Sequence, residues 1–387
     1  MKRKKCESVA VLTLAPFPNG NVSTLRYSSY LKALAQRGVD SHVIIYCPTT
    51  MASRQKEASG VIDDISFQYA TRITWKRGDI IEKLFFLIIG LFKSAQYLFK
   101  VKPDAIILYG DNNLLVVFFF YLISIVANSK YVGDRSELPS LEERNSRLRL
   151  GLYEFKQRFY DGMIIMTKQL MQYYSKFSKK KDFLFFMPMT IDVKRFLNIE
   201  VATKNYIAVV FGTHNRDGLE ETLLAYNRYK KDLDGKFELM LIGDYERMPN
   251  KDKLDMIINS SSYKDQIIKK GFTPLEEMPM LLSSASCLIT TPREYVSGGF
   301  PTKLGEYMLS GTPIVATIAG EMLDYIEPNV DMLMSNPGDE LKIAQNLKYI
   351  ETHPVEAKIL SENAHRKAET FFNAENYMDG LLEFLSN

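Results

Sequence analysis

Short runs of aliphatic and β-branched residues alternate along the chain with longer segments whose apolar positions return every three or four residues. In the first half, residues 9–14 read as a strand. Residues 24–38 read as an amphipathic helix with Leu25, Tyr30, Leu31 and Leu34 inward, and 42–46 as the next strand. Pro103-Asp104 opens a strand at 105–108, and short buried strands follow at 131–133, 163–166 and 183–187. After Pro188 the rhythm restarts, with strands at 207–211, 239–242, 267–270, 287–290 and 313–316. Helical patterns at 219–231, 275–283, 303–310 and 341–353 separate or follow them. Apolar strands spaced by helices predict parallel sheets covered on both faces. The expected class is α/β: two Rossmann-like, doubly wound parallel-sheet domains facing a cleft. Residues 1–190 form the first domain, 191–204 a linker with Asp192, Arg195 and Phe196, and 205–368 the second domain. Residues 369–387 are expected as a helix packing back towards the first domain.

A length of 387 residues with 46% hydrophobic and 25% charged content fits two globular domains and excludes disordered, collagenous and disulfide-scaffold classes. Cys6, Cys47 and Cys287 are too few and scattered for a disulfide framework or thiolate metal site, which fits a reducing, cytosolic setting. His42, His214, His353 and His365 show no HxxxH or HxH spacing, which argues against a zinc hydrolase. The net charge of +3 hides an asymmetry: residues 1–190 hold 28 Lys+Arg against 16 Asp+Glu, and the remainder 21 against 30. A basic half suits an anionic partner. No apolar stretch reaches the roughly 18 to 20 residues of a membrane span, and 114–127 reads as a buried helix. The basic start Met1-Lys2-Arg3-Lys4-Lys5 precedes an apolar run at 9–15 that lacks a small-residue cleavage site. That run leads into Pro16, Pro18 and Gly20, so it reads as a first strand rather than a signal.

Two stretches carry candidate chemistry. The first runs Ser297-Gly298-Gly299-Phe300-Pro301-Thr302-Lys303-Leu304-Gly305-Glu306-Tyr307-Met308, between a strand and a helix. Backbone N–H groups leaving a strand's carboxyl end suit phosphate, Lys303 adds a cation, and Glu306 one turn on suits a ribose diol. The second is Phe211-Gly212-Thr213-His214-Asn215-Arg216-Asp217-Gly218, where a glycine after a strand admits a ligand and Arg216 can reach a diphosphate. Neither a Walker A sequence nor a GxGxxG follows the first strand of either domain, which counts against nucleotide hydrolysis and nicotinamide binding. Asp232-Leu233-Asp234, the one DxD, closes a helix before Gly235 and reads as a turn rather than a metal site.

The order of Gly212 with Arg216-Asp217-Gly218, Leu241-Ile242-Gly243-Asp244, Gly271-Phe272-Thr273-Pro274, Pro301 to Met308 and Gly311-Thr312-Pro313 resembles the group 1, family 4 retaining glycosyltransferases of the GT-B fold. The loop at 16–21 with Arg26, and Pro188-Met189-Thr190-Ile191-Asp192, are similar to that family as well. The resemblance implies donor contacts at Gly20, Gly212, Arg216, Gly243, Phe272, Gly298, Gly299, Phe300, Thr302, Lys303 and Glu306. The family's first donor glutamate is missing, because Gly298 stands eight positions before Glu306. Glu294, or the amides of Gly298 and Gly299, would substitute. Thr213 stands where an arginine is common, so Arg216 and Lys303 would neutralise the leaving diphosphate, with no metal and no cofactor.

On the acceptor side, Tyr109-Gly110-Asp111-Asn112 and Val132-Gly133-Asp134-Arg135-Ser136-Glu137 leave strands of the first domain. Asp134 and Glu137 are the preferred catalytic pair, beside Arg216 and Lys303, with pairing or helix capping as the structural reading of Asp134. The implied partners are a UDP- or GDP-linked sugar and a saccharide or lipid-linked acceptor for cell-surface polysaccharide synthesis. Trp75, Lys76, Arg77, Lys83 and Lys93 suggest peripheral contact with the anionic inner face of the cytoplasmic membrane. Nucleic acid is not expected. The alternatives are a GT-B nucleotide-sugar epimerase, for which His214 alone supplies too few acid and base groups, and a nucleotide-sugar-binding subunit without turnover.

Overall fold

The computed structural model describes residues 5–20, 22–49, 55–76, 78–110, 113–177, 183–199, 202–293 and 298–387. The chain divides into two compact units. One comprises Met1–Asp192, Ser297–Gly299 and Ala374–Asn387, the other Val193–Val296 and Phe300–Asn373.

The N-terminal unit is built on eight strands: β1 Ser8–Thr13, β2 Asp40–Ile45, β3 Ser59–Ile62, β4 Ile65–Tyr69, β5 Ala105–Tyr109, β6 Lys130–Arg135, β7 Gly162–Ile165 and β8 Leu184–Phe186. Their order is β3-β4-β2-β1-β5-β6-β7-β8, and only β3 runs antiparallel to its neighbour. The β3–β4 hairpin, absent from the expected elements, turns on Asp63 and Asp64, both at positive φ as a two-residue hairpin loop requires. The interiors of β1, β2 and β5 are completely buried, and Tyr27, Tyr30, Leu31 and Leu34 of the helix Val22–Gln36 pack on them. The C-terminal helix Met378–Ser386 adds Met378, Leu381, Phe384 and Leu385 to the same core, with Phe384 stacked on Phe185 at 5.4 Å.

A buried ion pair ties this unit together. Arg26 reaches Asp134 of β6 through Nε and Nη2 at 3.3 and 3.2 Å. Its remaining N–H groups donate to the carbonyls of Pro188 (2.8 Å) and Met187 (3.2 Å), and Tyr30 OH donates to the other Asp134 oxygen at 3.2 Å. One guanidinium thus joins the first helix, the sixth strand and the chain leaving the eighth. This overturns the reading of Asp134 as an acceptor-side base, because both carboxylate oxygens are occupied and the side chain is wholly out of water.

Two helices also depart from expectation. Leu114–Ala127 forms, but only Val116, Val117, Phe120 and Ser124 are buried, while Leu115 and Val126 are 58% and 72% exposed. The helix is apolar all round, yet protein covers one face only. The segment around 85–91 belongs to a 22-residue helix, Ile80–Val101, capped by Asp79, which accepts from Glu82 N at 2.8 Å. By length and composition it could cross a membrane, contrary to the expected absence of any such stretch.

The C-terminal unit has six parallel strands: β9 Lys204–Val210, β10 Glu238–Ile242, β11 Ile267–Gly271, β12 Ala285–Thr290, β13 Ile314–Thr317 and β14 Leu333–Ser335, in the order β11-β10-β9-β12-β13-β14. Leu219, Leu223, Tyr226 and Tyr229 of the helix Leu219–Leu233 share one core with Leu239, Leu241, Ile289 and Leu347. The short β14 and the helices Lys251–Ser260 and Pro354–Phe371 lie outside the expected elements.

Arg26→Ala strands a buried carboxylate and is expected to lower stability by about 3–5 kcal/mol in urea denaturation, with Arg26→Ala/Asp134→Ala recovering part of the loss. A single-mutant cost under about 1 kcal/mol would show that the pair is not structural.

Candidate functional site

Ligands of doubly wound sheets bind beyond the carboxyl ends of the strands, where the strand order reverses. In the C-terminal unit that point lies between β9 and β12. The chain leaves β9 towards β10 on one side, and β12 towards β13 on the other. The loops after β9 and β12 are docked to each other by Gly218. It sits at φ +66°, and a Cβ there would stand 1.7 Å from the Thr291 carbonyl, so only glycine permits the approach. Thr291 Oγ1 donates to the Gly218 carbonyl at 2.8 Å and shares a 2.7 Å hydrogen bond with Thr222 Oγ1.

Over this junction lies an ion pair between Lys303, first residue of the helix Lys303–Leu309, and Asp217. Asp217 also accepts from the Gly212 N–H at 2.6 Å, and His214 Nδ1 lies 3.9 Å from the same oxygen. Burial pushes the Lys303 ammonium below the usual lysine range, and the Asp217 carboxylate opposes that shift. Burial would raise Asp217, yet Lys303, His214 and the Gly212 N–H outweigh it and hold the carboxyl below its ordinary value. Burial also holds His214 below its usual value despite Asp217, so the imidazole is neutral at neutral pH.

One turn along the same helix, the buried Glu306 is paired with Arg195 Nη1, while Arg195 Nη2 donates to the Leu275 carbonyl at 2.5 Å. The neighbouring Tyr307 hydroxyl accepts from Val210 N at 2.7 Å, fixing the helix to the end of β9. Lys303 and Glu306, one turn apart in sequence, therefore lie at one sheet edge with a partner each.

Other expected site residues are distributed as follows. Arg216 is exposed on the 3-10 turn Asn215–Asp217. Gly243, at φ +155°, follows β10 and would place a Cβ 2.5 Å from the Phe211 carbonyl, while Phe272 after β11 is 57% exposed. Thr302 takes the N-cap position, half-buried and without a side-chain capping bond. Phe300 is corrected: its ring is buried between Tyr325 and Phe372, at 5.6 and 5.4 Å, so it fills core rather than facing a donor. Gly298 and Gly299 group with the N-terminal unit, where Thr167 Oγ1 donates to the Gly298 carbonyl at 2.7 Å. Gly20 turns the loop after β1, which Thr24 closes by donating to the Pro16 carbonyl at 2.8 Å. Glu137 is exposed, whereas Asp134 is buried. Glu294, Asp111 and Arg77 lie outside the described residues.

Asp217 and Arg195 are site residues that the sequence does not single out. A carboxylate just before a glycine that opens a helix was the available signal for Asp217, whereas nothing local marks Arg195. Asp232 pairs with Arg228 at 3.7 Å and Asp234 ends its helix at positive φ, as a turn does. Among the described residues, no three His, Cys, Asp or Glu side chains converge as a metal site.

The whole chain superposes on enzymes of known structure. Sucrose-phosphate synthase of Thermosynechococcus elongatus matches over 97% of this chain and 98% of that one, with a TM-score of 0.75 at 16% identity. HepE of Anabaena, in complex with UDP-glucose, matches over 98% and 99%, with a TM-score of 0.70 at 15% identity. The fold is GT-B, with two Rossmann-like parallel-sheet domains. Residues 191–367 match the family model of glycosyl transferases group 1. MMP α-(1→4)-mannosyltransferase of Mycolicibacterium hassiacum is 28% identical over 206 residues, 51% of this chain and 46% of that protein. The matched stretches span less than half the length of the curated relatives, 30% and 46%.

Because the folded Asp217 carboxyl is depressed from its ordinary 3.8, its contribution is fully present above that value and is lost as pH falls through the folded value. Asp217→Asn is expected to flatten this acid limb. It should also lower stability near neutral pH by about 1–3 kcal/mol, since the half-buried Lys303 is left without a counter-charge. Urea titrations from neutral to acid pH check both effects, and superimposable curves for parent and variant would refute them.

Proposed function

We propose that the protein is a retaining hexosyltransferase that takes its sugar from a UDP- or GDP-linked donor and passes it to a saccharide or lipid-linked acceptor in cell-surface polysaccharide synthesis. The observation that carries this reading is the presence of a half-buried cation and a buried carboxylate, Lys303 and Glu306, on one short helix at the β9–β12 switch point. The match of residues 191–367 to the glycosyl transferases group 1 model supports it, as does the UDP-glucose held by the similarly folded HepE.

Each side chain then has a task. The Glu306 carboxylate accepts from the two ribose hydroxyls, and Arg195, anchored on the Leu275 carbonyl, sets its orientation. Lys303 and Arg216 face the diphosphate, and Asp217 holds the Lys303 ammonium in place before the donor arrives. As the bond from the sugar's anomeric carbon to the β-phosphate breaks, its electron pair and the growing charge stay on the phosphate. Fixed cations stabilise that charge more than the ground state's. The acceptor hydroxyl enters on the leaving-group face, forms the new glycosidic bond and gives its proton to the departing phosphate. Configuration is retained, and no protein nucleophile is required. Asp134, locked on Arg26, takes no part as a base.

Glu306→Ala is expected to weaken UDP or GDP binding by about 2–4 kcal/mol in calorimetry while the fold persists. Unchanged affinity would overturn the ribose assignment. Lys303→Ala and Arg216→Ala are expected to lower kcat more than they weaken nucleoside monophosphate binding, and turnover is expected to continue in EDTA. Strict dependence on added Mg²⁺ or Mn²⁺ would refute the metal-free route.

A further inference from the structure

Three helices of the N-terminal unit, Ile80–Val101, Leu114–Ala127 and Arg147–Lys156, leave large apolar side chains in solvent. Ile81, Phe85 and Phe92 are 78%, 58% and 62% exposed on the first, Leu115 and Val126 are 58% and 72% exposed on the second, and Leu148 is 74% exposed on the third. Aromatic contacts make these faces one surface. Phe92 meets Phe119 at 5.9 Å, and Phe159 bridges Phe118 and Phe155, each at 5.3 Å. Contiguous apolar surface on this scale marks an interaction site.

Charge decides the occupant. Lys83, Lys93, Arg147 and Arg158 are exposed on or beside these helices. Two acids among them are already matched, Glu82 by Lys76 at 2.9 Å and Glu142 by Arg149 at 3.3 Å. A wide apolar surface rimmed by cations suits acyl chains below anionic headgroups. Length alone would let Ile80–Val101 span a bilayer, but its other face is committed to protein. Gly90, Leu91, Ser94, Ala95 and Leu98 are buried, and a Cβ on Gly90 would stand 1.7 Å from the Tyr46 carbonyl. Crossing would strip that face from the sheet, so the helix lies in the plane of the interface.

We infer that the N-terminal unit inserts this three-helix apolar surface into the headgroup region of an anionic membrane. This differs in kind from the salt-releasable contact expected of Trp75 and its neighbouring cations, and it does not rest on the transfer reaction.

The experiment is co-sedimentation of the full chain, without substrate, with vesicles of equimolar phosphatidylcholine and phosphatidylglycerol, at low salt and at 1 M, where the Debye length is about 3 Å. Binding is expected at both, with a blue shift in the emission of Trp75, the single tryptophan. Ile81→Glu/Phe85→Glu/Val126→Glu is expected to weaken binding at least about a hundredfold at either salt, while the matching triple change to Leu retains it. Lys83→Glu/Lys93→Glu is expected to weaken it at low salt and change it little at 1 M. Far-UV circular dichroism checks that each variant folds. Two results would overturn the inference: no vesicle binding by the parent, or complete release at 1 M salt. In the first case, self-association of the parent that the Glu variant loses in sedimentation velocity would assign the surface to a second copy.

Discussion

Lys303 sits half-buried at the carboxyl edge of the C-terminal sheet, and the charge of an ammonium in that position is met by the protein itself. Asp217 does so, and the geometry around it follows. For the carboxylate to reach Lys303, the loop after β9 must turn tightly, which the Gly212 N–H and the Gly218 backbone conformation allow. For Lys303 to be there, the loop after β12 must lie against the first turn of the Leu219–Leu233 helix, which the Gly218–Thr291 contact enforces. A site that keeps its cation paired in the absence of ligand spends no folding energy on an orphan charge. At the proposed donor site a phosphate then needs only to compete with one carboxylate.

The same solution recurs twice. Glu306 is taken by Arg195 in the C-terminal unit, and Asp134 by Arg26 in the N-terminal unit. The environments separate their roles. Asp134 is wholly buried with both oxygens occupied, so its pair is structural. Glu306 and Lys303 stand at the mouth of a sheet edge where strands reverse their order, and there a pair can be rearranged by a ligand.

The two halves also divide their charge and their surfaces. The basic half carries exposed apolar helices, and the acidic half carries the proposed donor site. Separate tasks on separate units explain how one chain of modest net charge can hold both a polar ligand edge and an extended apolar face.

The alternation of apolar strands and amphipathic helices sufficed to locate eleven strands and six helices within a few residues, because period and burial go together wherever a sheet is covered on both sides. Glycine after a strand likewise announced the loop at Gly212, and at Gly243, at φ +155°, the conformation that requires glycine is a local property. Short edge elements such as β3 and β14 carried too few residues for a period. The partners of charges were not legible. Arg26 and Asp134 are 108 residues apart and Arg195 and Glu306 are 111, so only the folded sheet brings them together. Phe300 and the helix Leu114–Ala127 make the same point for apolar groups. Phe300 was expected at the donor and the helix in the core, and it was the placement of neighbouring elements that enclosed Phe300 and left half of the helix in water, because burial depends on what the rest of the chain lays against a surface.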